Sequence, residues 1–372
     1  MRDKNVPYDW GIDKHYTSDM TAYPDLSGNI IISPFFLARV KKVVNMALNA
    51  GFDYVIINTH HDDSDCNPIY TKAGNEHRPQ NYANVVTGLP MTWESEMPYQ
   101  LWHASTATDA ISRSAKLGLS SQQEFDQVIK PTFKYVWGLI AEAFKDYDYR
   151  LIFEGFNEIL KYVRKWPNES ENKDMSGTTH LSRVNELNNA FIEVVRNSGG
   201  NYNKKRVLSC QSYGALCKDY AFSNGSTRFS VTDIDTNMDN GKPNRIIFQG
   251  HFYSNSASDF GTAADIITRN TNLPCILGEV GWDVNSTSGD HINDKTFGKE
   301  LVQNAKNKGV KVFWWDNRWY DYANYPNGDT TYSNQTYALL NRRATTSSTS
   351  VWYQEELAKG LIEGSGQTFN NH

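Results

Sequence analysis

At 372 residues and 39% hydrophobic content, the chain is long enough to bury a large core, and α/β barrels often run past about 250 residues as one domain. The formal net charge is -5 and no run of Lys or Arg stands out, which argues against nucleic acid as a partner. No apolar run is long enough to span a bilayer, and the start, Met1 to Pro7, lacks the apolar stretch of a secretion signal.

In chain order, the segment before Ile30 holds at most the stub of a strand around Asn5–Asp9. Apolar residues three and four apart predict a helix over Pro34–Ala50, followed by a strand at Tyr54–Asn58. The stretch 62–121 is rich in Trp, Tyr, Pro and Asn and too long for an ordinary βα loop, so it is expected to be a lid or cleft wall. Helix Gln122–Phe144, strand Leu151–Phe153, helix Ser182–Asn197 and strand Arg206–Cys210 come next. Strands Ile246–Phe248 and Cys275–Leu277, helix Asp294–Lys308, strand Lys311–Phe313 and helix Trp352–Ile362 complete the pattern.

Such alternation argues a parallel sheet. The strands end in residues with chemistry: His60-His61, Asn157-Glu158, Gln211, His251 with Tyr253, Glu279, and Trp315-Asp316. Reactive groups at the carboxyl ends of parallel strands fit a (β/α)8 TIM barrel, and the absence of a Gly-rich phosphate loop disfavours an open doubly wound sheet. Six strands are evident, so the barrel is expected to be N-terminally incomplete, within a single catalytic domain over 1–372. Open strand edges invite pairing with a second copy as a homodimer.

The 10 Trp and 21 Tyr suit the apolar faces of sugar rings, but a large aromatic core accounts for the same numbers, so position has to decide. Cys66, Cys210, Cys217 and Cys275 form no CxxC pair, which leaves neither a zinc site nor a dense disulfide framework, although the spacing of Cys210 and Cys217 allows one bridge. The cluster His60-His61-Asp62-Asp63 is set aside as a metal site. Adjacent residues on a strand point to opposite sides, and no third ligand is visible.

Cleaving a glycosidic bond with retention needs one carboxyl to protonate the leaving oxygen and a second to attack the anomeric carbon. Phe156-Asn157-Glu158 and Gly278-Glu279-Val280 offer that pair, Glu158 as acid/base and Glu279 as nucleophile. A lone Glu at a strand end is usually a solvated charge; the combination carries the reading. Tyr253, on the strand before Glu279, can donate to the nucleophile and hold it ionised, with His251 in the same network. Asn157 can meet the sugar 2-OH or simply cap a turn. Trp315 can stack under a sugar, whereas Trp314 points the other way by alternation and belongs to the core.

Together these residues resemble glycoside hydrolase family 5, in particular its bacterial and rumen-type cellulases, from about Val6 to the end. The resemblance is carried by Val55-Ile56-Ile57-Asn58-Thr59-His60-His61-Asp62, Leu151-Ile152-Phe153-Glu154-Gly155-Phe156-Asn157-Glu158, His251-Phe252-Tyr253, Gly278-Glu279 and Trp315-Asp316-Asn317, in that order. It implies a retaining endo-β-1,4-glucanase with no cofactor, a polysaccharide substrate and secretion. Its implied active-site set is His60, Asn157, Glu158, His251, Tyr253, Glu279 and Trp315, with His61 beside it.

Two departures stand out: Ile159 replaces the family's Pro, and Asn5-Val6-Pro7 stands where the family carries an Arg-x-Pro whose Arg lies near the nucleophile. Three readings follow: a working endoglucanase, a xyloglucanase or mannanase set by 62–121 with Trp93, Tyr99 and Trp102, or a weakly active sugar-binding remnant.

Overall fold

The computed structural model describes residues 22–24, 30–32, 34–59, 126, 130–157, 178–216, 231, 245–269, 271–282, 291, 293–316, 339 and 354–369. They fall into two compact units, Met1–Ala215 with Phe229–Ile246, and Leu216–Arg228 with Ile247–His372.

In the first unit, strand β1 (Ala22–Pro24) runs antiparallel to β2 (Ile30–Ile32), a pairing the sequence did not announce. Helix α1 (Pro34–Asn49) leads to β3 (Val55–Asn58), α2 (Lys130–Ala143) to β4 (Leu151–Glu154), and α3 (Thr178–Asn197) through a short 3-10 turn at Asn203–Lys205 to β5 (Leu208–Leu216). β3 pairs with β4 and β4 with β5, both parallel. The expected strands and helices are all here, the largest differences being that α2 starts at Lys130 instead of Gln122 and β5 runs on to Leu216. The stub at Asn5–Asp9 and the segment 62–121 lie outside the described residues.

β4 divides its side chains by strand alternation. Phe153 faces the helices, where Trp137 of α2 and Phe191 of α3 meet edge-on with centroids 4.5 Å apart, and Phe153 lies 5.7 Å from Trp137. Glu154 takes the opposite face. Behind this layer Arg206 is fully buried, its guanidinium donating to the carbonyls of Phe144, Tyr147, Asp148 and Leu151 and to Asn203 Oδ1. Burial pulls its pKa down to about 10, still far above neutrality, so the group stays charged.

The second unit carries β6 (Ile246–Tyr253), which begins in the first, then α4 (Asp259–Arg269), β7 (Cys275–Gly281), α5 (Lys295–Lys306), β8 (Lys311–Trp314) and α6 (Glu355–Ser365). β6, β7 and β8 pair in parallel in that order. Helix α4 escapes a sequence reading because Gly261, Thr262 and Thr268 are poor helix formers. Tertiary packing makes it: Phe260, Ala263, Ala264 and Ile267 form one buried stripe, and Phe260 meets Phe252 of β6 edge-on at 5.1 Å.

Helix α5 is N-capped by Asp294, whose side chain accepts from the Phe297 N–H. Its contact with α6 is close because Gly298, Gly360 and Gly364 lie at the crossing. A Cβ on Gly360 would sit 2.1 Å from the Lys295 carbonyl, and one on Gly364 2.5 Å from that of Lys299. Among the described residues no helix is long and apolar enough to cross a membrane.

Candidate active site

The two units each build a cluster of polar side chains at strand ends. In the first, Asn58 and Glu154 are register partners on β3 and β4, so their side chains share a face. Ser209 pairs with Glu154, and Gln211 stands two residues further on that face of β5. Glu154 Oε1 accepts from Asn58 Nδ2 at 2.8 Å and from Gln211 Nε2 at 3.1 Å. A buried carboxylate thus sits between two carboxamides, which offsets part of its desolvation.

Beyond β4 the chain is held from both sides. The Gly155 carbonyl accepts from Thr59 Oγ1 at 3.0 Å and from Trp137 Nε1 at 2.8 Å, while its N–H donates to Ser209 O at 3.2 Å. A Cβ at Gly155 would come within 3.1 Å of the Phe191 ring, so the backbone lies directly on that aromatic. Phe156 is buried near Phe133, and Asn157 is only 3% exposed. Glu158, the next residue, and His60 and His61 after Thr59 lie outside the described residues.

In the second unit, Gln249, His251 and Tyr253 alternate along one face of β6, while Phe252 faces α4. β7 starts out of step with what the chemistry requires. Cys275 turns its Sγ toward Ile267 O of α4, and regular alternation would send Leu277 and Glu279 the same way. The register shows the correction: Gly250 pairs with Leu277, but His251 pairs with Glu279, which leaves Gly278 as an extra residue. The shift recurs against β8, where Leu277 pairs with Val312 and Val280 with Trp314. This bulge turns Glu279 onto the face of His251 and Tyr253.

There Tyr253 Oη donates to Glu279 Oε1, and His251 Nδ1 lies 3.6 Å from Glu279 Oε2. The second separation is too long for a short hydrogen bond. His251 is 1% exposed, and its Nε2 lies 3.1 Å from Gln249 Nε2. Trp314 falls on the helix side, half-buried and not in the core, with its ring 5.4 Å from buried Trp282. Trp315, half-buried, follows on the other side with its N–H donating to Val280 O at 2.9 Å.

Of the residues singled out in the sequence, His251, Tyr253 and Glu279 are brought together, and Asn157 is buried just past the end of β4. Sequence reasoning missed Gln249 and gave no role to Glu154. The signal for Gln249 was its position two residues before His251, on the same strand face.

The chain matches the family profile of Cellulase (glycosyl hydrolase family 5) over residues 6–321. It belongs to the cellulase family, glycosyl hydrolase family 5. A cellulase/esterase, CelE, of Acetivibrio thermocellus is 28% identical over 359 residues, covering 90% of this chain and 33% of that protein. A GH5 family lichenase from Caldicellulosiruptor sp. F32 superposes with a TM-score of 0.56 at 22% identity, covering 91% of this chain and 76% of the other. A family 5 xyloglucanase from Paenibacillus pabuli does so with a TM-score of 0.56 at 20% identity, covering 91% and 83%.

This GH5 chain spans from 33% to 63% of the length of the curated relatives it matches first. Its fold is that of the (β/α)8 barrel, of which the described residues supply six parallel strands.

Proposed function

We propose that the chain is a retaining endo-β-1,4-glucanase that hydrolyses internal bonds of cellulose or a related β-glucan through a glycosyl-enzyme intermediate. The observation that carries this is the Glu279 carboxylate, turned by the Gly278 bulge onto the face of β6 and engaged by Tyr253 and His251. A carboxylate held by a hydroxyl donor and a nearby ring nitrogen is kept ionised and aimed, which is what a nucleophile at an anomeric carbon needs.

In this reading Glu279 attacks the anomeric carbon while Glu158 protonates the departing glycosidic oxygen. Glu158 then takes a proton from the water that releases the sugar. Asn157 meets the 2-OH, a contact that strengthens as the oxocarbenium-like transition state forms. Trp315 offers a stacking platform, and His60 and His61 extend the binding surface. The chain works as one catalytic domain, with 62–121 beside the cleft and an extracellular polysaccharide as its substrate.

The test is release of reducing ends from soluble carboxymethyl-cellulose. Glu279→Gly should abolish it, and azide should then restore a glycosyl product. An undiminished variant would sink the assignment. Glu158→Ala should hurt substrates with poor leaving groups far more than activated aryl glycosides, and equal losses would argue against its role. The mass of the active species tells whether two copies associate.

Similarity to a xyloglucanase favours xyloglucan as the second reading. A panel with mannan included separates these substrates, and saccharide binding without turnover would point to a binding remnant.

A further inference from the structure

We infer that Gln249 is a positioning residue that fixes the tautomer of His251, so that the ring presents an N–H, and not a lone pair, to Glu279. The importance of that orientation for turnover rests on Glu279 being the nucleophile; the tautomer itself does not.

A carboxamide nitrogen only donates. Gln249 Nε2 lies 3.1 Å from His251 Nε2, so the ring nitrogen facing it has to accept. A neutral imidazole carries one proton, which is then on Nδ1. Nδ1 is the nitrogen 3.6 Å from Glu279 Oε2. In the other tautomer two N–H groups would confront each other across 3.1 Å with the amide as it stands, and the Nδ1 lone pair would face the Glu279 carboxylate whichever way the amide is turned. Both contacts are repulsive, and His251 and Gln249 are almost fully buried, so water screens neither.

The space that Gln249 occupies is left by a missing side chain. A Cβ on Gly278 would lie 2.1 Å from Gln249 Cδ, 2.3 Å from Nε2 and 2.5 Å from Oε1. The whole carboxamide therefore lies across the Gly278 backbone, in space that only glycine leaves. Gly278 is also the extra residue of the bulge that turns Glu279 onto this face. The same glycine thus aims the carboxylate and makes room for the amide that orients its neighbouring histidine.

The experiment reads the tautomer directly, by long-range proton–nitrogen correlation spectra of the full chain labelled with nitrogen-15 histidine. His251→Asn identifies which signals belong to His251. The wild type should show a protonated Nδ1 and an unprotonated, accepting Nε2; a proton on Nε2 would overturn the inference without any variant needing to fold.

In Gln249→Met, of similar volume but without a donor, the His251 signals should move toward the other tautomer. On soluble β-glucan its kcat should fall about 10-fold with KM unchanged. Unchanged ring signals in that variant would overturn the proposal, as would a loss confined to KM. A wild-type chain that hydrolyses no β-glucan would sink the proposed function, and the ring spectra would still decide this inference.

Discussion

Tyr253 donates its phenolic hydrogen to Oε1 of Glu279, across the β6–β7 pairing in which Tyr253 and Glu279 lie two register steps apart. A hydrogen bond to a charged group contributes about 1.5–3 kcal/mol, which corresponds to roughly 10- to 160-fold in rate if it is lost at the transition state. Tyr253→Phe keeps the ring and removes only the donor. We expect kcat on soluble β-glucan to fall within that range while the folded spectrum is unchanged; a drop below threefold would show that Tyr253 is packing and not tuning.

Arg206 makes the opposite prediction, for stability without chemistry. It donates to the Phe144 and Leu151 carbonyls in a fully buried setting and lies 4.4 Å from the Phe153 ring centroid. Arg206→Met keeps the stem but strips the Leu151 carbonyl of the guanidinium and leaves the Phe144 carbonyl with the Tyr147 N–H alone, at a cost of roughly 1–3 kcal/mol per lost bond. The urea midpoint should fall by an amount equivalent to about 3 kcal/mol, with turnover per folded molecule maintained below the transition. A midpoint equal to wild type would mean that water replaces the guanidinium.

Acid sensitivity is expected at the start of α5. Burial alone would raise the Asp294 pKa, but the Phe297 N–H and the His291 ring outweigh it and hold the carboxyl below its ordinary value. A carboxylate whose pKa is lower when folded contributes stability that is present above its unfolded value, about 4. That contribution is lost as pH falls through the lower, folded value. Asp294→Asn retains a capping oxygen and removes the charge. The wild type should melt higher than the variant at neutral pH, and the gap should close below about pH 4. A gap of constant size would assign the effect to cap geometry.

The six βα units were legible because apolar periodicity survives short windows, and His251, Tyr253 and Glu279 were legible because reactive groups at strand ends are chemically conspicuous. The bulge at Gly278 was not. Counting alternate residues from Cys275 puts Glu279 on the helix side, and only the pairing with His251 reveals the extra residue. Gln249 was hidden for a related reason: an amide inside a strand has no chemistry until its neighbour across Gly278 is known. Glu154 was readable as part of a motif, but its two carboxamide partners come from β3 and β5, 96 and 57 residues away. Helix α4 was overlooked because packing of Phe260 and Ile267 overrides weak local propensity.

The crossing of α5 and α6 decides between two effects of opposite sign. On an exposed helix, Gly→Ala stabilises by about 1 kcal/mol, since alanine loses less backbone freedom. At Gly360 the added methyl would lie 2.1 Å from the Lys295 carbonyl and 3.0 Å from the Lys299 nitrogen, both backbone atoms that cannot swing aside. Helix α6 would have to lift off α5, and overpacking of this kind costs about 1–3 kcal/mol. The clash should win: Gly360→Ala should lower the urea midpoint. Gly366, just past α6 with φ 88°, gives a contrast, because there alanine would fail through backbone strain with no helix displaced. Slower hydrogen exchange throughout α6 in Gly360→Ala would show that propensity prevails and that the two helices have room to spare.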